Sequence, residues 1–153
     1  MLALRSLSLL LALALFLPSA AGGAEVEARP IPDEPFAEQK VALQVSNAQP
    51  AAQRRVLMVA RMVLKEYGMD RVAVEVVGMG PGMKVMLADS KHADMITSLA
   101  DQGVRFSACH NTYRFMAKRK GQEPKLHPDV ELVPAGVGRL LKLEDAGYTI
   151  IKP

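Results

Sequence analysis

The chain has 153 residues, half of them hydrophobic, a formal net charge of +3 and one cysteine. This length fits one modest domain, and a single cysteine excludes an intramolecular disulfide or a zinc site made of cysteine pairs. Basic residues cluster only at 118–120, aromatic residues make up 5% and tryptophan is absent, which argues against nucleic-acid and carbohydrate binding.

Residues 1–24 have the layout of a secretory signal peptide. A short basic segment ending at Arg5 precedes a stretch rich in leucine and alanine, residues 7–17, and small residues continue to Ala24. This apolar stretch is too short for an ordinary membrane span, and no later stretch is long and uncharged enough. We therefore expect cleavage after Ala21 or Ala24 and an exported, periplasmic protein that has no membrane contact once the signal is removed.

Residues 25–39 form a second segment, in which prolines stand among charged residues at Pro30, Pro32 and Pro35. This composition is typical of a flexible or extended arm. We expect the folded domain to occupy residues 40–153.

Short apolar stretches alternate with helical patterns along this domain. The predicted strands are residues 40–46, 71–77, 104–108, 130–135 and 148–151. The predicted helices are residues 51–67, a segment from Asp89 or Ser90 to Gly103, residues 111–120, and a short segment ending at Gly147. This alternation predicts an α/β fold, a three-layer α/β/α sandwich with a five-stranded, mainly parallel sheet, flavodoxin-like in outline.

Three loops follow the carboxyl ends of predicted strands, at residues 78–84, 109–112 and 134–138. In an open parallel sheet, ligands bind at this edge. The glycines there, which permit either a tight turn or close approach to a ligand, are Gly80, Gly82 and Gly136. The segment 78–84 fits neither the dinucleotide nor the phosphate-loop pattern, so we expect no nucleotide and no other cofactor.

The lone Cys109 lies at a predicted strand-to-helix turn, where helix N–H groups favour a thiolate. The alternative is a small buried core residue. His110 is a candidate base, although adjacency in sequence does not make it face the thiol. Asn111 and Thr112 are candidates to donate hydrogen bonds to the sulfur, or simply to cap the following helix.

The remaining candidate residues give weaker indications of catalysis or metal binding. We interpret His92 and His127 as solvated surface residues, and no Ser/His/Asp set or acid pair indicates a hydrolase. Three methionines close in sequence, Met79, Met83 and Met86, leave copper(I) binding with Cys109 or a histidine as a minor alternative. We expect no resident metal.

The chain resembles the DsrE family, which includes DsrE- and DsrF-like sulfur-relay proteins, in a branch carrying a signal peptide. The segments that carry the resemblance are the strand and helix from residue 40, residues 78–84, 104–112, 133–138 and 144–153. The resemblance implies a parallel α/β fold, trimers or hexamers, and a cysteine that carries persulfide sulfur, a role that only Cys109 can inherit.

We therefore predict sulfur binding or persulfide transfer through Cys109, with a sulfur donor or acceptor protein as a partner. At most, the protein is a sulfurtransferase-like carrier. The second hypothesis is a non-catalytic oligomeric module that binds a small ligand. The third is a periplasmic copper-binding protein.

Overall fold

The structure, a computed structural model, describes residues 26–27 and 29–153. The predicted signal peptide and its cleavage sites lie outside the described residues. Within the described part of the chain, no helix has both the length and the apolar character needed to cross a membrane.

Five strands and four α-helices alternate along the part of the chain that the structure describes. The strands are β1 (Gln39–Val45), β2 (Val72–Gly78), β3 (Arg105–Cys109), β4 (Val130–Val133) and β5 (Thr149–Ile151). The helices are α1 (Pro50–Tyr67), α2 (Ala93–Ala100), α3 (His110–Lys120) and α4 (Gly136–Asp145), with a 3-10 helix at Gly80–Met86. All four strand pairs are parallel. The predicted α/β fold with a five-stranded sheet is confirmed.

The strand order β4-β3-β2-β1-β5 determines which face each helix covers. From β1 to β4 each crossover moves in the same direction, whereas the chain returns from β4 to pair β5 with β1. Because such crossovers are right-handed, α4 lies on the opposite face from the first three helices. Accordingly, the larger apolar cluster contains side chains of α1 and α2, and the smaller one contains Leu140 and Leu143 of α4.

The segment predicted as an open loop after β2 folds into the 3-10 helix, and α2 begins at Ala93, later than predicted. Met83 and Met86 of the 3-10 helix are fully buried in the larger cluster. The Ser90 hydroxyl accepts a hydrogen bond from the His92 N–H at 3.2 Å, so the residues predicted to begin the helix form a turn before it.

The interpretation of His92 and His127 as solvated residues is wrong, since their exposed fractions are only 8% and 6%. The N–H of His127 donates to the Met86 carbonyl at 2.9 Å, which brings the histidine against the 3-10 helix. Its ring Nε2 lies 3.2 Å from the Thr97 hydroxyl oxygen. A long-range backbone contact, which local sequence does not reveal, therefore buries this polar ring.

The described part of the proline-rich arm makes a turn at residues 35–36 and packs against the domain. Ile31 and Ala37 contact the smaller apolar cluster, and Arg29 Nε lies 2.7 Å from a carboxylate oxygen of Glu131. The N–H of Glu38 donates to the Arg71 carbonyl at 2.7 Å. The arm thus adds cover to the sheet face on which α4 is the one helix among the described residues.

Candidate functional site

Cys109 is the last residue of β3 and the N-cap of α3, with extended backbone angles. The neighbouring strand β4 leads into α4, whose first residue is Gly136. Because α3 and α4 leave the same edge of the sheet toward opposite faces, their N-termini lie on either side of the cysteine. The fold thereby brings the free N–H groups of two helices to one sulfur.

These N–H groups stabilise the thiolate. Burial raises the pKa of the Cys109 thiol, but the Gly136 N–H, the Thr112 hydroxyl and the N–H groups of Thr112 and Asn111 lower it more, and the net pKa lies below the ordinary value. No side-chain hydrogen bond caps α3, so its first N–H groups are free to interact with an anionic sulfur. The thiol is only 7% exposed.

The Thr112 hydroxyl is oriented by a second contact. Its oxygen accepts a hydrogen bond from the Gly80 N–H at 2.9 Å. With that N–H directed at the oxygen, the hydroxyl hydrogen is available to the sulfur of Cys109. The loop after β2 and the first turn of α3 therefore act together on the thiol. Gly80 itself has a φ of +51°, a backbone conformation that glycine adopts without strain.

The three candidate glycines have different positions. A Cβ on Gly136 would lie 3.2 Å from the Cys109 Cβ and 2.8 Å from the Met79 Cε, so the absence of a side chain lets α4 approach the cysteine. A Cβ on Gly82 would lie 2.5 Å from the Val45 carbonyl oxygen, so Gly82 allows the 3-10 helix to pack against the end of β1. Gly80 and Gly136 thus adjoin the thiol, and Gly82 supports the loop.

His110, the candidate base, is directed at another side chain. Its ring stacks on that of Tyr113, with the centroids 6.1 Å apart and 28° between the planes. The groups that lower the pKa of Cys109 belong to Gly136, Thr112 and Asn111, and His110 is not among them. The stabilisation of a thiolate here comes from N–H and O–H donors.

The three loop methionines do not converge on the thiol. Met83 and Met86 are buried in the larger cluster, whereas Met79 packs against the smaller one on the other side of the sheet. Within the described residues, no group of three or more histidine, cysteine or acidic residues has the proximity to hold a metal ion. Met79, Met83 and Met86 therefore do not lie together as one set of copper(I) ligands.

Sequence reasoning missed a buried ionic cluster beneath α4. The Glu75 carboxylate is fully buried and accepts hydrogen bonds from Arg139 at 2.6 and 2.8 Å, from Arg105 at 2.6 Å and from the Ser107 hydroxyl at 2.6 Å. Burial raises the pKa of Glu75, but hydrogen bonds from Arg139 and Ser107 and the charges of both arginines leave it lowered overall. The sequence contains one sign of this cluster, because Glu75 is an acidic residue within an otherwise apolar, β-branched strand.

A groove lies beside the cysteine, between the 3-10 helix and α3, with a volume of about 440 Å³. Its lining residues are Gly80, Pro81, Lys84, Asn111, Thr112, Phe115, Met116 and Arg119. Three of these, Gly80, Asn111 and Thr112, also belong to the loops that surround the thiol. The groove therefore adjoins residues that surround Cys109, while Cys109 itself is not among its lining residues.

Comparison with known proteins identifies similar structures but does not assign a function to this chain. No family model and no curated protein matches the chain. One similar solved structure is the protein of unknown function MTH1491 from Methanobacterium thermoautotrophicum, with a TM-score of 0.68 and 26% identity, covering 76% of this chain and 100% of that one. Another is the ychN protein from E. coli, with a TM-score of 0.60 and 14% identity, covering 75% of this chain and 99% of that one. Both likenesses support the α/β fold.

Proposed function

We propose that this is an exported DsrE-like protein that carries sulfane sulfur on Cys109. The observation that carries the proposal is the thiol between two helix N-termini, with N–H donors from Gly136, Asn111 and Thr112 and a hydroxyl from Thr112. A persulfide anion needs the same donors as a thiolate, because both concentrate negative charge on sulfur. The segments that resemble the family, residues 78–84, 104–112 and 133–138, include the three loops around this sulfur.

The proposed step is a transfer of sulfane sulfur with no net oxidation. The Cys109 thiolate attacks the outer sulfur of a persulfide donor, and the bond between the two donor sulfurs breaks. The electron pair of that bond leaves with the donor thiolate, while the outer sulfur, with its proton, becomes bonded to Sγ. Attack by an acceptor thiolate on the same sulfur returns the Cys109 thiolate by the reverse electron flow.

Mass spectrometry of purified protein tests the carrier role. After incubation with a sulfane-sulfur donor, the intact mass and the peptide containing Cys109 should both gain the mass of one sulfur atom. A reductant should remove it. The Cys109→Ser protein, nearly isosteric and therefore folded, is the control and should gain nothing. An unmodified wild-type protein under these conditions would contradict the proposal.

Export is the second part of the proposal and rests on the signal-peptide pattern of residues 1–24. N-terminal sequencing of protein from the periplasmic fraction should begin at Gly22 or Glu25. A sequence that begins at Met1 would contradict it.

The low exposure of the thiol favours a second candidate, a non-catalytic oligomeric module that binds a small ligand. Cys109 is only 7% exposed, and a free cysteine is often simply a packed core residue. Alkylation of the native protein distinguishes the two. Reaction with iodoacetamide in the folded state supports the carrier, whereas reaction only after denaturation supports the module.

A further inference from the structure

All the charged residues that line the groove beside Cys109 are basic. Its charged lining residues are Lys84, near the end of the 3-10 helix, and Arg119, in the last turn of α3. Its other six lining residues are glycine, proline, asparagine, threonine, phenylalanine and methionine, with no carboxylate among them. The cavity on the other side of α3, by contrast, contains Glu123 together with Lys118.

The groove also has an apolar wall next to its cations. Phe115 is 60% exposed, and the Arg119 guanidinium lies over its ring at 5.8 Å from the centroid. This contact holds the charged group in place against the wall of the groove. An exposed aromatic ring beside a positioned guanidinium suits a ligand that combines a short hydrocarbon part with an acidic group.

The length of α3 sets the size of such a ligand. Thr112 is in the first turn and Arg119 is seven residues further on, which corresponds to about 10 Å along the helix axis. A long side chain on a helix points back toward its N-terminus, which shortens this separation. The groove volume of about 440 Å³ fits a molecule of the size of a small peptide.

We propose that the sulfur donor to Cys109 is a low-molecular-weight persulfide that bears carboxylates, held by Lys84 and Arg119 with its sulfur end at Thr112. This inference rests on the proposed function and specifies the substrate class of the same site. The two cations place the acidic part of the donor at the far end of the groove. The persulfide end is then next to the loops that surround the thiol, ready for the sulfur transfer described above.

The experiment compares two donors that share a tripeptide skeleton and differ in whether their carboxyl groups are charged, glutathione persulfide and the persulfide of glutathione diethyl ester. Rates of sulfur loading on Cys109 are measured by mass spectrometry at low ionic strength. The wild type should load faster from the carboxylate donor. The double variant Lys84→Gln/Arg119→Gln should load from the carboxylate donor about tenfold more slowly than the wild type, because each exposed charge contact contributes up to about fivefold. Its loading rate with the ester donor should equal that of the wild type.

Lys118→Gln is the matched control, because it removes a positive charge from the same helical turn but faces the other cavity. It should leave both rates unchanged. Loading of the two donors at equal rates, with no effect of the double variant, would overturn the inference and leave the carrier function standing. No loading from either donor would overturn both proposals.

Discussion

Thr112 connects the two loops that hold the thiol. Its hydroxyl oxygen accepts the Gly80 N–H, and its hydrogen stabilises the Cys109 sulfur, so one side chain couples the loop after β2 to the start of α3. Serine would preserve both contacts, whereas valine has nearly the same shape and preserves neither. Substitutions at Thr112 can therefore distinguish the effect of its hydrogen bonds from the effect of its packing.

We expect Thr112→Val to raise the pH at which alkylation of Cys109 reaches half its maximal rate. Loss of a hydrogen bond to a charged group costs about 1.5 kcal/mol, which corresponds to about one pH unit. Rates of reaction with iodoacetamide between neutral and alkaline pH measure it. Thr112→Ser should retain the wild-type profile, and identical profiles for all three proteins would show that the hydroxyl does not act on the sulfur.

We expect Gly136→Ala to slow sulfur loading and alkylation, because the added Cβ would lie 3.2 Å from the Cys109 Cβ and 3.1 Å from the Met79 Cβ. Relief of these contacts moves the start of α4, and with it the Gly136 N–H, away from the sulfur. Gly138→Ala is the matched control, since its Cβ would have only an ordinary contact of 3.8 Å with Ala135. Equal reaction rates for the two variants would contradict the role of close approach.

The elements behind the site are joined by the Glu75 cluster, which links β2, β3 and α4. Glu75 is paired in register with Arg105 across two strands, and Arg139 reaches the same carboxylate from the helix above. Arg139 also donates to the Arg29 carbonyl, which adds the N-terminal arm. This cluster therefore helps to hold α4, and so Gly136, at the edge of the sheet.

We expect Arg139→Gln to lower the free energy of unfolding by about 3 to 5 kcal/mol, because it leaves a buried carboxylate without its main partner. Urea denaturation measures this. Arg71→Gln, which removes an exposed ion pair with Glu38, should cost less than about 1 kcal/mol. Similar losses in both variants would show that the buried cluster contributes no more than a surface pair.

The lowered pKa of Glu75 also predicts an acid dependence. Since the folded-state pKa lies below the unfolded value of about 4.3, this group stabilises the fold above that pH and loses its contribution as the pH falls further. The difference in unfolding free energy between wild type and Glu75→Gln should therefore narrow from neutral pH toward about pH 3. A constant difference across that range would exclude Glu75 as the titrating group.

The molecule as a whole has apolar side chains that its own core does not cover. Val137 and Leu141 are one turn apart on α4 and are 63% and 56% exposed. This stripe lies on α4, the helix that begins at the candidate site. Because obligate interfaces resemble a core cut in half, we expect the chain to self-associate through a largely apolar face. A trimer or a hexamer is the size that the resemblance to the DsrE family implies.

Light scattering at micromolar concentration should give a multiple of the monomer mass. Leu141→Glu should reduce that mass, because it places a charge in the apolar stripe. Met62→Glu, at a position on α1 that is 63% exposed, should leave it unchanged. A monomer mass for the wild type would count against self-association.

Local sequence determined the alternation of strands and helices and the position of Cys109 at a strand-to-helix turn, because hydrophobic period and glycines that end helices act over a few positions. Only the tertiary structure decided that α4 starts beside the cysteine, that the Gly80 N–H binds Thr112 and that His127 is buried. It also decided that Glu75, one acid in an apolar strand, meets two arginines from distant positions. Such contacts depend on strand order and on the face to which each crossover is directed, and neither is encoded in any short segment.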